Sequence, residues 1–395
     1  MTSPKKGPLD GLLVADFSRV VAGPYATMLL GDLGADVVKV ERPGSGDDTR
    51  GFGPPFVDGV SSYYLSVNRN KRGVAWDLSS AEGRRKAAVL AGKADVLVEN
   101  FRPGTAAKFG LGYEEVAGGN PGLVYCSVSG FGTTGEGAEL PGYDFLLQGV
   151  GGLMSITGDA GGEPRKVGVA VVDVLTAQFA TSAILAALYE RERSGRGQRV
   201  EVNLLSSLLS SLINQASTYI TTGAVPRAMG NEHPSISPYE TLHASDRLLV
   251  VAVGNDSQFA TLAGVVGLDW MAADARFATN ASRVANRPAM IEALEGCLRQ
   301  QTAGQWLPRM QAAGIPCGIV NDIGEAFALA KRLGLDPVVC LGPSGEAVGG
   351  AVAKPGRDAQ VRNPIGFSET PVSYRYPPPQ LGEHTVAVEA ELGIS

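Results

Sequence analysis

The sequence predicts an α/β protein: a Rossmann-like, mostly parallel sheet domain carrying a smaller α+β domain. Strand and helix signals alternate from Leu12 to Ser129, which is the text of a parallel sheet covered on both faces. A second strand–helix–strand pattern runs from Lys166 to Val202, with a long small-residue helix closed by Gly195 and Gly197. With 395 residues, 44% of them apolar and 19% charged, the chain can bury a large core and divide into two domains.

Leu12 to Phe17 reads as a buried strand, Pro24 suits the first turn of a helix to about Leu33, and Asp36 to Glu41 is a second strand after Gly34. Gly73 to Asp77 reads as the third strand. Ser79 with Glu82 forms a capping box for a helix ending near Gly92. Ala94 to Glu99 and Leu123 to Ser129 follow as strands. The first strand–helix turn, Arg19 to Pro24, lacks Gly-x-Gly-x-x-Gly, so the dinucleotide fingerprint is missing. Glu41 stands where such folds place a ribose-binding acid, but Arg42 follows at once, and a guanidinium fits a phosphate better. Taken alone, Arg42 also reads as a surface arginine.

The β-branched run Val167 to Val172 reads as a strand meeting Asp173 at a strand-to-helix corner. Asp173 alone reads as a helix N-cap. At the carboxyl end of a strand it also reads as a ligand-site carboxylate, kept ionised by the helix dipole and backbone donors, and so as a nucleophile. The glycine-dense stretch Gly130 to Gly168 holds Pro141-Gly-Tyr-Asp144 and Gly149-Val-Gly-Gly152, and reads as backbone approaching a ligand or as an irregular loop. A helix at about Leu204 to Thr221 leads to a linker at Gly223 to Pro226. Beyond it, Pro238 to Val253 reads as a hairpin, with helices near Ser257–Val266, Pro288–Arg299 and Thr302–Ala312. The domains are therefore expected as 1–222, 223–331, and a return segment 332–395 that completes the first.

A formal net charge of -6 gives no electrostatic reason to expect nucleic acid. The N-terminus shows no signal peptide, and Leu175 to Tyr189 is too short and too polar to span a bilayer, so a cytoplasmic chain with no membrane partner is expected. The four cysteines are widely spaced and read as reduced core thiols. None of the three histidines stands at metal-ligand spacing, and no metal is expected. With no Gly-x-Ser-x-Gly elbow and no Walker loop, acyl chemistry here must work without a serine-hydrolase site and without ATP.

The residues then carry a likeness. Ala22-Gly-Pro24, Leu33-Gly-Ala35, Val38-Lys-Val-Glu-Arg-Pro43, Asn70-Lys-Arg72, the run Ala94 to Gly104, Ser194-Gly-Arg-Gly-Gln198, Gly314-Ile-Pro-Cys-Gly318 and Leu381-Gly-Glu-His-Thr385 occur in one order. In these motifs, over nearly its whole length, the chain resembles the class III CoA-transferase family. That family includes formyl-CoA, carnitine and succinyl-CoA-dependent CoA-transferases, with α-methylacyl-CoA racemase as a relative. The resemblance implies that Asp173 is the nucleophile and that coenzyme A or acyl-CoA is a substrate, with no tightly bound cofactor. It implies that Val20, Val21 and Ala22 border the nucleotide, that Arg42 faces its phosphates, that Trp76 lines the adenine side, and that Asn100, Phe101 and Lys108 hold the pantetheine and phosphate region. Ser79 and Pro141 stand where formyl-CoA transferase has lysines that touch CoA, so part of that clamp is missing. An interlocked homodimer is also implied.

The chemistry fits that assignment. A carboxylate can attack a thioester, pass through a mixed anhydride and an aspartyl-CoA thioester, and hand CoA to an incoming carboxylate with no ATP, metal or strong base. Backbone amides of Gly149 to Gly152 are candidate oxyanion donors. Two other readings stand beside transfer: a 2-methylacyl-CoA racemase, and a CoA-binding protein without turnover. The racemase relatives carry a histidine where this chain has Tyr143, and a phenol titrating at about 10 is a poor substitute. Tyr143 and Asp144 are candidates to close over and orient the acyl group. The segment Gly230 to Tyr239 replaces the glycine-run loop of formyl-CoA transferase, which argues against formate and oxalate. It is similar to the segment of members that use succinyl-CoA and dicarboxylic acids. Asn231, His233 and Arg19 are candidates to contact the acceptor's far carboxylate.

Overall fold

Alternate residues of the central strands face opposite cores, and this requires apolar side chains on both faces of one sheet. In the computed structural model, which describes residues 7–342 and 356–394, Val14, Val37, Val96, Val124 and Cys126 belong to one buried cluster. Ala15, Val38, Leu97 and Tyr125 belong to another. The strands are β1 (Leu13–Asp16), β2 (Asp36–Glu41), β3 (Lys71–Ala75), β4 (Val96–Glu99), β5 (Val124–Ser129) and β6 (Arg199–Asn203). They lie in the order β3-β2-β1-β4-β5-β6, and every pairing among them is parallel. Helices α1 (Ala22–Asp32), α2 (Val171–Ser194) and α3 (Leu204–Ser211) supply residues to the first cluster, among them Ala26, Ala177 and Leu208.

By its internal contacts the chain divides into two units. One comprises Met1–Leu153, Lys166–Ala224 and Asp336–Ser395; the other comprises Met154–Arg165 and Val225–Leu335. The sequence pattern expects Met154–Arg165 in the larger domain, but its contacts put it in the smaller unit. The smaller unit is built on three antiparallel strands, Tyr239–His243, Leu248–Ala252 and Cys317–Ile319. Helices Asp256–Val266, Arg287–Leu298 and Ala303–Ala312 supply its core residues Phe259, Leu294 and Trp306.

Several expected elements differ. Val167 to Ala170 is not a strand, and α2 begins directly at Val171. At 24 residues α2 is long and apolar enough to cross a bilayer, contrary to the expectation from Leu175 to Tyr189, but Val172, Ala180 and Ile184 on one of its faces are core residues of the sheet domain. The cap of helix Ala81–Lys93 is Ser80, which accepts from Gly83 N–H, because Ser79 Oγ is spent on Asp77. The helix expected over Leu204 to Thr221 is two helices, α3 and Ile213–Thr222. The four cysteines are free, and burial pushes the Cys126 thiol up to about 12. The leaderless reading of residues 1–6 and residues 343–355 of the return segment lie outside the described residues.

Among the contacts that tie the return segment to the sheet domain, one centres on a buried carboxylate. Asp32 at the end of α1 accepts from Arg69 Nε and Nη2 at 2.9 and 2.6 Å, from Asn70 at 2.7 Å, and from Asn363 at 2.9 Å. Removing it leaves a buried guanidinium and the Asn363 amide without this acceptor, and leaves the Asn70 amide with Ser373 O alone. Asp32→Ala is expected to destabilise the protein by about 3–5 kcal/mol. Thermal melting with limited proteolysis checks this; an unchanged melting temperature contradicts the assigned role.

Candidate active site

In a doubly wound sheet a crevice opens at the carboxyl ends of the two strands where the order reverses, here β1 and β4. A cleft of about 210 Å³ lies there. Its walls are Arg19 to Ala22 after β1, Asn100 to Pro103 after β4, Val128 to Gly130 at the end of β5, and Pro141 to Tyr143; Asp173 also lines it. Gly130 and Gly142 meet backbone to backbone in that wall, and a Cβ on Gly130 would stand 2.7 Å from Gly142 Cα, so a side chain there would force the two loops apart.

Asp173 is the third residue of α2 and only 8% exposed. It does not cap its own helix. Asp144, the first residue of helix Asp144–Val150, does so from outside: its Oδ2 accepts from Val172 N–H at 2.7 Å and Asp173 N–H at 3.3 Å. Its Oδ1 accepts from Gln148 Nε2 at 2.6 Å, and Gln148 Oε1 in turn accepts from Val167 N–H at 2.8 Å, which fixes the approach to α2. The Asp173 carboxylate accepts no hydrogen bond among the described residues. Burial, reinforced by the Asp144 charge, lifts it from 3.8 to about 7. This corrects the expectation that the helix terminus keeps it ionised: the dipole remains, but first-turn donors are committed to Asp144, and desolvation prevails.

The turn after β1 is held by side chains. Ser18 O accepts from Lys39 Nζ at 3.0 Å. Asn100 grips Arg19 by both backbone groups, accepting at 2.8 Å and donating at 2.7 Å. Val20 adopts φ +70°, a conformation that costs a β-branched residue on the order of 1–3 kcal/mol. Its N–H lies 3.3 Å from both carboxylate oxygens of Asp47. Helix α1 then begins at Ala22 without a side-chain cap.

The cleft thus brings together Arg19, Val20, Val21, Ala22, Asn100, Phe101, Tyr143 and Asp173. The other expected residues lie elsewhere. Arg42 is exposed, with Nε on Ser45 Oγ at 2.7 Å. Trp76 is 3% exposed, packed in the sheet core with its indole N–H on Glu389 at 2.8 Å, so its ring is not open to a ligand. Lys108 is exposed at the end of helix Thr105–Lys108. Asn231 and His233 belong to the smaller unit, where Asn231 donates to Thr241 Oγ1 at 3.0 Å and the His233 ring meets Tyr239 edge-on. The amides of Gly151 and Gly152 are spent on Leu147 O and Gly149 O, which removes them as oxyanion donors.

The sequence reading missed Gln148 and Tyr63. Gln148 stands four residues after Asp144 on one helix face, a spacing that signals an interacting pair. Tyr63 gave no signal; burial and then the charges of Asp173 and Asp144 hold its phenol above the ordinary value. Among the described residues no group of His, Cys, Asp and Glu could hold a metal ion.

Residues 9–385 match the model of CoA-transferase family III, and the chain belongs to that family. It is 43% identical to succinate–glutarate CoA-transferase of Agrobacterium fabrum, over 98% of this chain and 96% of that one. It is 38% identical to acetyl-CoA:oxalate CoA-transferase of Acetobacter aceti, over 98% and 96%. The crystal structure of a CAIB/BAIF family protein from Brucella suis superposes with a TM-score of 0.86 at 41% identity, covering 98% of this chain and all of that one.

Because the folded Asp173 takes up its proton near pH 7 and an unfolded aspartate near 4, the folded state binds more protons between these values. Stability therefore falls as pH rises through that window. The displacement opposes the ionised form by about 4 kcal/mol at most. Asp173→Asn is expected to raise the melting temperature above pH 7 and to have little effect near pH 4. Equal melting curves across pH would contradict the burial assigned to this group.

Proposed function

We propose that this CoA-transferase moves CoA between a dicarboxylic acyl-CoA and a small dicarboxylic acid, with Asp173 as nucleophile. The observation that carries the reading is the place of that carboxyl: buried in the cleft at the strand-order reversal, and free of hydrogen-bond partners that would blunt it. Its carboxylate attacks the thioester carbonyl; a C–O bond forms, the C–S bond breaks, and an acyl-aspartyl anhydride and CoA thiolate result. The thiolate attacks the aspartyl carbonyl, releasing the donor acid and leaving aspartyl-CoA. An acceptor carboxylate then repeats the two steps in reverse, regenerating Asp173. One thioester replaces another, and no proton is gained or lost.

The residues around the cleft have roles in this reading. The turn Val20 to Ala22, with Asn100 and Phe101, borders CoA, while Arg42 and Lys108 meet its phosphates from the exposed surface. Asp144 orients the nucleophile's helix, and Tyr143, 62% exposed on the cleft wall, closes over the acyl group. Tyr63 supplies a neutral O–H beside the two carboxylates. Arg19, half-exposed and loosely paired with Asp48 at 3.8 Å, takes the far carboxylate of the substrate. Succinate and glutarate in the name of one relative support a dicarboxylic substrate. Oxalate in the name of the other is itself a dicarboxylate, so the argument against oxalate from Gly230 to Tyr239 carries little weight beside it. Asn231 and His233 remain candidates for the acceptor in an interlocked homodimer, the assembly that the family likeness suggests.

A panel of acyl-CoA donors against mono- and dicarboxylic acids tests this. Dicarboxylates are expected to be the preferred acceptors, and Asp173→Ala to lose transfer by at least about a thousandfold while still binding CoA. Only the ionised carboxylate attacks, so wild-type kcat/KM is expected to rise with pH through about 7 and level off above it. Substantial transfer by Asp173→Ala would remove the assignment.

A further inference from the structure

We propose that Lys39 and Asp47 are positioning residues: a buried clamp that holds Val20 in its left-handed conformation and so sets the shape of the turn that receives CoA. The inference rests on the reading that this turn borders CoA.

Val20 would leave φ +70° if it were free, because its branched Cβ disfavours that region. Two contacts oppose this. Asp47 stands 3.3 Å from Val20 N–H through either oxygen, and Lys39 Nζ bridges Asp47 Oδ2 at 2.9 Å and Ser18 O at 3.0 Å, two residues upstream in the same turn. Both charged side chains are fully buried. Asp47 is itself fixed by Thr49 N–H at 3.0 Å and Thr49 Oγ1 at 2.7 Å, while its own N–H donates to Glu41 Oε1 at 2.9 Å. Lys39 lies on β2 and the turn follows β1, so the clamp ties the turn to the neighbouring strand. Although burial works the other way, the Lys39 charge and Thr49 hold Asp47 down to about 2, so it stays an acceptor at any working pH.

A dinucleotide-binding fold makes this turn with glycines, which take positive φ freely. Here a strained valine is kept in place by charge, and its side chain stays on the cleft wall. A buried pair that served stability alone would change the melting temperature and leave the affinity of the folded protein unaltered. A clamp on Val20 makes the two sites interdependent, because glycine at position 20 needs little help to keep the conformation.

The experiment is a double-mutant cycle on the full-length protein, reading CoA affinity by calorimetry and KM for acyl-CoA. In the Val20 background Asp47→Asn is expected to weaken binding by about tenfold, the loss of one charged hydrogen bond. In the Val20→Gly background the same change is expected to cost less than about threefold. Equal losses in both backgrounds, or no loss in either, would overturn the clamp. If Asp47→Asn does not fold, hydrogen exchange of the wild-type Val20 amide decides: strong protection supports the clamp, and exchange at the rate of an open loop refutes it. A wild-type protein that binds no CoA would instead overturn the reading of the turn as a CoA border.

Discussion

One carboxylate oxygen, Oδ2 of Asp144, accepts from the first amides of the helix that carries Asp173. Three consequences follow from that contact. The long helix can begin abruptly at Val171 with no cap of its own, because the acceptor comes from another element. The side chain of Asp173 is released from capping and left bare in the cleft. The negative charge of Asp144, held nearby, adds to burial in keeping that side chain protonated near neutrality. In the proposed reaction, a nucleophile that keeps part of its basicity attacks better than a carboxylate wrapped in donors, and the difference would come from which aspartate takes the backbone.

The wall opposite follows the same logic. The turn after β1 meets the ligand cleft without the usual glycines, and its backbone groups are satisfied by Lys39, Asn100 and Asp47. Nearby, Lys71 contacts Asp16 at 3.0 Å, Asn68 at 2.9 Å and Pro24 O at 2.8 Å, and burial draws it down to about 8. Such buried ionic groups are costly unless every partner is in place. Their hydrogen bonds to Ser18 O, Val20 N–H and Pro24 O tie the turn and the start of α1 to the neighbouring strands.

Much of the architecture was legible in the sequence where apolar runs are bounded by glycine: β2 was read over the same residues that form it, between Gly34 and the charged Arg42. The third strand was read two residues late. Lys71 and Arg72 look like loop residues, and they become strand residues because Asp16 and Asp36 neutralise them, a pairing that exists only after the sheet has formed. Asp173 was legible as a candidate from the family motifs, although the strand read before it is absent and it lies inside α2. Its raised pKa was not, since burial and the approach of Asp144 are tertiary facts. Trp76 shows the opposite case: the family resemblance implied that it lines the adenine side, while its indole packs in the sheet core and donates to Glu389 of helix Thr385–Leu392.

The central claim is that the acyl group and then CoA pass through the side chain of Asp173. Intact-mass measurement of the wild-type protein quenched in acid after mixing with acyl-CoA, followed by peptide mapping, tests it most directly. A CoA adduct confined to the peptide bearing Asp173 is the predicted result. An adduct on another residue, or rapid transfer with no covalent species at any time, would contradict it.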